Sequence, residues 1–356
     1  PLPELRSRKH SYYFAMILKS AEAVFPHLAR ELIKVMFALA SDGSMSNLFV
    51  SVYESASSDQ TPHFMKVFEK ILNSLGVKSS FRSGGKKRHA LENRIEFLAN
   101  VRNAALKALT EKQKEGVRFQ RVIWLNDNYF CAHGLLQQLL LLEEPQHGGV
   151  RADVACGVDY VVDGAGDCIF YDKWASRDLE GQMFEAGLGR TPIIKSSNSW
   201  AAFQKGVPFQ VFSCWSGTPV FRGEIFQEEG LLFRRGRKES GVETECPASE
   251  AELIFHDMWK LGYHRFVMTP NSRCAYQETS FNACVRDKQK EIQFGSVVEF
   301  KDRPPRLVDC CACPDIPTSP LYLEAADRVD FGQCKQDEWD SIYKRLGVPR
   351  QCGFST

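Results

Sequence analysis

Apolar residues recur at Leu28, Leu32, Val35 and Leu39, a spacing that places them on one face of a helix, with Pro26 suited to its first turn. Turn residues Ser41-Asp42-Gly43-Ser44 follow, and residues 1–45 read as a helical N-terminal region. Leu48–Tyr53 is a short, β-branched apolar run and predicts a buried strand. Thr61 as N-cap and Pro62 in the first helical position open a second helix. Its stripe is Phe64, Val67, Phe68, Ile71, Leu72 and Leu75, and Gly76 can end it. A third helix, about 91–109, carries Ile95, Leu98, Ala105, Leu106 and Leu109. Arg102 falls on that inward stripe, where a charge requires a partner. The run Arg121–Leu125 predicts a strand that ends in Asn126-Asp127-Asn128, and a helix follows over about 131–142. Strand and helix thus alternate through residue 142, the pattern of an α/β protein with a Rossmann-like central sheet flanked by helices.

The second half is less regular. Residues 209–212, 219–226 and 231–234 read as strands, with Glu228-Glu229-Gly230 as a hairpin turn. Ser249 and Glu252 have the spacing of a capping box at the start of a late helix. Gly262 ends that helix, and 264–268 is another strand. Residues 304–356 are rich in Pro and Cys and read as an irregular, stapled tail. With no repeat and no low-complexity linker, residues 1–356 read as one domain.

Composition narrows the class. The chain is 44% hydrophobic and 25% charged, enough to bury a core without a metal or staple. A net charge of +1 gives no pull toward nucleic acid. The 12 cysteines read as disulfides in an oxidising compartment, or as reduced core residues and metal ligands in a reducing one. The cluster Cys310-Cys311-Ala312-Cys313 holds one C-x-x-C with no second pair, which argues against zinc. No apolar run reaches the ~20 residues that cross a bilayer.

Three polar segments sit where chemistry is expected. Ligands of open α/β sheets bind at the carboxyl ends of strands. Glu54, Ser55 and Asp59, after the first strand, suit a ribose and base, or else form an ordinary capped loop. Asn126-Asp127-Asn128 offers oxygens for Mn²⁺ or Mg²⁺, or else is an Asx-rich turn. Asp127 and Asn128 are the proposed metal ligands, with Asn126 toward the donor. Arg102 and Asn103 suit a phosphate, or else Arg102 makes a buried salt bridge.

Taken in order, further segments resemble the fungal capsule-associated α-1,3-mannosyltransferase family, the cryptococcal mannosyltransferase type. They are Pro26-His27-Leu28, Phe49–Thr61, Arg94–Leu98 with Arg102-Asn103, Trp124–Phe130, Ala152–Tyr160, Tyr171–Trp174 with Arg177-Asp178, Ser213–Gly217, and Ser249-Glu250 with Asp257-Met258-Trp259. The likeness spans roughly residues 12–276. Asn126 and Asn128 depart from the usual D-x-D motif, since they replace its acids. The resemblance implies a GT-A fold, a GDP-mannose donor, a divalent metal and transfer with retention onto a mannose-containing glycan. It also implies a type II membrane protein, anchored by an N-terminal segment outside this sequence, with its catalytic domain in the Golgi lumen. By position, Asp153 and Asp159 fall to the donor sugar, and Asp172, Trp174, Arg177 and Trp215 to the acceptor. Glu250 and Asp257 share a face of the late helix, and are expected to steady the oxocarbenium ion or orient the acceptor hydroxyl. Competing readings keep the fold with another nucleotide sugar, or make the chain a non-catalytic glycan-binding protein, or a cysteine-based redox or zinc protein.

Overall fold

In the computed structural model, the alternating strands and helices join one ten-stranded mixed sheet with helices packed against it. The structure describes residue 5 and residues 10–41, 43–89, 92–145, 149–187, 192–239, 242–243, 248–288, 299–305 and 308–309. The strands are β1 Tyr12–Leu18, β2 Leu48–Glu54, β3 Lys78–Arg82, β4 Arg121–Leu125, β5 Tyr129–Phe130, β6 Val154–Val162, β7 Cys168–Phe170, β8 Phe209–Gln210, β9 Val220–Arg222, β10 Lys238–Glu239, β11 Val242–Glu243 and β12 Phe266–Ala275. The helices are α1 Phe25–Leu39, α2 Thr61–Ser74, α3 Arg94–Lys114, α4 Ala132–Glu143, α5 Ser197–Lys205, α6 Glu224–Gln227, α7 Glu250–Lys260 and α8 Glu278–Cys284.

The strand order is β3-β2-β1-β4-β9-β6-β12-β5, with β7 on β6 and β8 on β12. Strands β3, β2, β1 and β4 are parallel, in a register that aligns Phe14 with Val50 and Ile123. Strand β9 runs against both β4 and β6, while β6 and β12 are parallel. A parallel nucleotide-binding half joined through one reversed strand to a second half is the GT-A arrangement that the resemblance implies. Buried on both faces, β1 and β4 are continuous apolar runs. Tyr13 and Ser51 both donate to the Ala105 carbonyl, at 2.7 Å each, and lock β1 and β2 to α3.

Four local expectations are corrected. The N-terminal region is not helical throughout, because Tyr12–Leu18 is the central strand β1. Thr61 is not the N-cap of α2; Gln60 holds that place, and the Thr61 hydroxyl accepts from Ala21 N at 2.8 Å instead. Residues 224–227 form α6 and 231–234 form no strand, so there is no hairpin at Glu228-Glu229-Gly230. Ser249 does cap α7, but Glu252 turns inward to Arg177 at 3.0 Å and does not close a capping box. Strand β6 was not legible as a strand, since Gly157 breaks its pattern. That glycine lets β12 approach closely: a Cβ there would lie 2.6 Å from the Ser272 carbonyl oxygen.

Two disulfides staple the second half, Cys156–Cys214 and Cys168–Cys284, and Cys131 and Cys274 are free thiols. Cys246, the Cys310–Cys313 cluster and most of the 304–356 tail lie outside the described residues.

Candidate active site

The carboxyl ends of β1, β2, β4 and β6 open onto a cleft of about 780 Å³, walled on the other side by α3 and the start of α7. Lys19, Ser55, Asn126-Asp127 and Val162 reach it from the strand ends, Arg94 and Arg102 from α3, and Glu250 from α7. The loop after β7 adds Tyr171, Asp172, Lys173 and Trp174, and Trp215 and Tyr276 complete the lining. This is where an open α/β sheet takes its ligand.

At the wall formed by α3, Arg102 is the centre. Its side chain is 6% exposed and its Nε lies 2.8 Å from Oε1 of Glu250, which is 1% exposed. Its guanidinium stacks 4.1 Å over the Trp215 ring and reaches Oδ1 of Asn126 at 3.4 Å. The unpaired charge that helix periodicity left on α3 therefore has its partner on α7. Asp127 lines the cleft, and burial pushes its carboxyl up to about 6, against the pull of Arg102. Ser55 lines the cleft as well, held by its amide bond to the Leu18 carbonyl at 3.0 Å.

At the wall formed by the loop after β7, Asp172 faces the cleft and Asp159 lies behind it. Asp172 accepts from Ser216 N at 2.8 Å, and its own N–H donates to Oδ1 of Asp159 at 3.1 Å. Burial raises both carboxyls, that of Asp159 well above the ordinary range, with the charge of Asp172 as the next cause. Trp174 lines the cleft near Arg94, whose guanidinium carbon lies 5.9 Å from the ring centre. Tyr171 is 52% exposed and packs against Tyr276, ring centres 5.2 Å apart. The Tyr276 hydroxyl in turn accepts from Asn126 at 2.8 Å.

The structure assigns other work to several expected site residues. Glu54 is buried and accepts from Ser57 N, Ser83 Oγ and Gly84 N. Burial opposes its charge, but these hydrogen bonds outweigh it and hold the carboxyl below its ordinary range. Asp59 accepts from Glu22 N and Thr61 N and shapes the loop before α2. Asn103 exchanges hydrogen bonds with the Phe233 backbone. Asp153 lies at the start of β6, away from the cleft, clamped by Arg222 and Arg265. Arg177 is fully buried, paired with Glu252 and bonded to the carbonyls of Lys173, Trp174 and Ser176. Asp257 is held by both arms of Arg234, at 2.6 and 2.8 Å, and does not line the cleft. Trp215 is 2% exposed and supports Arg102 rather than offering a face to a sugar. Lys19, Arg94, Tyr171, Lys173 and Tyr276 were missed; Tyr276 lies past a strand that the sequence pattern ended at 268.

Asn128 is buried and does not line the cleft, so it is not placed as a metal ligand. Among the described residues, no three His, Cys, Asp or Glu side chains form a metal cage. Mg²⁺ and Mn²⁺ need only one or two protein carboxylates where a diphosphate completes the shell. Asp127, poorly paired and open to the cleft, fits that role, and the neighbouring Asn126 Oδ1 is a second oxygen within the same wall.

Residues 11–257 match the sequence profile of the family described as cryptococcal mannosyltransferase 1. The chain is 29% identical to the alpha-1,3-mannosyltransferase CMT1 of Cryptococcus neoformans, over 88% of this chain and 71% of that protein. Solved structures show a distant likeness. The mannosyltransferase PcManGT of Pyrobaculum calidifontis, in complex with GDP-Man and Mn²⁺, is 14% identical over 75% of this chain and 56% of its own, with a TM-score of 0.39. Residues 1–349 of TarS from S. aureus are 15% identical over 77% and 63%, with a TM-score of 0.40.

Proposed function

The chain belongs to the cryptococcal mannosyltransferase 1 family, and from that premise we propose that it transfers mannose from GDP-mannose onto a hydroxyl of a mannose-containing glycan, an α-1,3 transfer with retention. The observation that carries this reading is the cleft itself. It sets a poorly paired carboxylate, Asp127, and a rigidly held guanidinium, Arg102, side by side at the strand ends of a GT-A sheet. A nucleotide diphosphate has the charge and shape for that pair.

Asp127 would hold a divalent cation, Mn²⁺ or Mg²⁺, which would supply positive charge to offset the charge of a leaving diphosphate. Arg102 is fixed before the donor arrives, by Glu250 and by the Trp215 ring, so little rotamer freedom is lost on binding. Lys19, Arg94 and Lys173 add positive charge at the rim. Asp172 accepts a hydrogen bond from a sugar hydroxyl, while Trp174 and Tyr171 offer ring faces to a pyranose. With retention, the departing phosphate can take the acceptor proton, so no strong base is needed. Glu250 acts through Arg102 and Asp257 stands outside the reaction.

The two disulfides support an oxidising compartment such as the secretory pathway. No helix among the described residues is long and apolar enough to cross a membrane.

A donor screen tests the reading. The protein is incubated with Mn²⁺, a mannobiose acceptor and each common nucleotide sugar, with Asp127→Ala as control. A hexose added from GDP-mannose alone, and lost in the variant, is expected. Transfer from a different donor would overturn the sugar, and failure to bind GDP with Mn²⁺ would overturn the catalytic reading.

A further inference from the structure

Asp159 is 0% exposed, yet it lies one hydrogen bond behind the cleft. Its Oδ1 accepts the Asp172 N–H, and its Oδ2 has no hydrogen-bond partner among the described residues. The Ser216 hydroxyl stands beside this carboxyl and has no other partner among the described residues. An ionised carboxylate with one bare buried oxygen is costly, whereas the neutral acid turns that oxygen into a donor.

The surroundings point the same way. From β4 comes Asp127, from the strand end of β12 come Cys274 and Tyr276, from α7 Glu250, from α3 Arg102, and from the loop after β7 Asp172 and Lys173. Burial holds the Cys274 thiol and the Tyr276 phenol neutral. The Arg102 guanidinium pulls the Asp172 carboxyl down, and Glu250 already holds that guanidinium. Two adjoining carboxylates, one sealed and one half-buried at the cleft wall, oppose each other's charge in such a corner.

Resting on the mannosyltransfer reading, we propose that Asp159 and Asp172 work as a pair that carries one proton. Asp159 is the neutral member and a positioning residue; Asp172 is the carboxylate offered to a hydroxyl of the bound sugar. Asp159 sets the loop through the Asp172 N–H, and as a neutral acid it donates to the adjacent Ser216 oxygen and adds no second negative charge beside Asp172. No bond to the sugar forms at either residue. The pair fixes where the hydroxyl sits and how its lone pairs point.

Asp159→Asn tests this, because an amide keeps the acceptor for Asp172 N and supplies a donor in place of the acid O–H. Heat stability of wild type and variant is followed from about pH 4 to about pH 8. A carboxyl raised in the fold binds its proton more tightly there than in the unfolded chain, so wild-type stability falls as pH rises from the unfolded value. The variant lacks this loss. Its advantage over wild type is expected to be absent near pH 4 and to grow with pH. In transfer assays Asp159→Asn should lose the alkaline limb of the kcat/KM profile for the acceptor, and Asp172→Asn should raise the acceptor KM at least tenfold. A variant that fails to fold, or is less stable than wild type at every pH, means that Asp159 is an ionised structural carboxylate and overturns the proposal. If wild type transfers no mannose, the mannosyltransfer reading fails, and the stability arm still decides the protonation of the pair.

Discussion

Removing the Arg102–Glu250 pair one side at a time, then together, separates what the pair does for the fold from what Arg102 does in the cleft. Both side chains are nearly sealed, 6% and 1% exposed, at 2.8 Å. Breaking such a pair strands a charge and typically costs about 3–5 kcal/mol. Glu250→Leu leaves Arg102 its stacking on Trp215 and its bond to Asn126, so the expected loss is lower, about 2–4 kcal/mol. Arg102→Met strands Glu250 with only a marginal 3.4 Å contact to the Ser249 hydroxyl, and should cost about 3–5 kcal/mol. The double variant removes both charges and fills the space with apolar atoms, and should return to within ~1 kcal/mol of wild type. Urea unfolding of the four proteins gives the cycle, and calorimetry with GDP and Mn²⁺ gives function. Nucleotide affinity should not recover in the double variant: a lost charge-assisted contact is worth about 1.5–3 kcal/mol, roughly 10- to 150-fold in Kd. Additive destabilisation would refute the pairing argument. Wild-type affinity in the Arg102→Met protein would refute the placement of the diphosphate.

Asp127→Asn should stabilise the nucleotide-free protein above about pH 6, by on the order of 1–2 kcal/mol after allowing for its partial exposure, because the raised carboxyl costs stability once it ionises. The same change should abolish metal-assisted GDP binding, and wild-type binding should weaken as pH falls through about 6, both read by calorimetry. Replacing Cys156 and Cys214 by Ser opens a closure of 58 residues, worth about 4 kcal/mol in the chain-entropy estimate, and frees the loop whose Ser216 N–H holds Asp172. Urea unfolding should show the loss, and transfer activity should fall with it. Asp257→Ala should leave kcat/KM within about threefold of wild type, less than ~1 kcal/mol at the transition state, since Asp257 serves Arg234. Asp153→Asn should cost about 3 kcal/mol of stability with GDP affinity unchanged, because two guanidinium groups lose their shared carboxylate away from the cleft.

Legibility along the chain followed the range of the forces involved. Helices α1 and α3 announced themselves through stripes of Leu, Val and Ile, because a helix facing a sheet repeats its burial every turn. Strand β2 was plain from six apolar and small residues in a row. Strand β6 was hidden, because its burial comes from β12 and β9, both distant in sequence, and its Gly157 is explained only by the Ser272 carbonyl that approaches it. The second half also lost α6 to a run that looked like a strand, where burial is all-round and carries no period.

The site divided along the same line. The position of Asp127 could be read, since a polar triplet at the end of an apolar strand is a local pattern, and so could the need of Arg102 for a partner. Which acids are free to act could not be read. Asp153, Asp159, Asp172 and Asp257 differ by which guanidinium reaches them: Arg222 and Arg265 consume the first, Arg234 the last, and among the described residues no ion pair closes on either of the middle two. Those guanidiniums lie up to 112 residues away in the chain. A resemblance carries such residues over by position, and position alone does not distinguish a carboxylate that has been neutralised from one that has been left poised. Buried acids without a cation are expensive; backbone and hydroxyl donors satisfy Glu54 and Asp178 away from the cleft, whereas Asp172 stands raised in the cleft wall itself, and that is the physical ground for placing a sugar hydroxyl there.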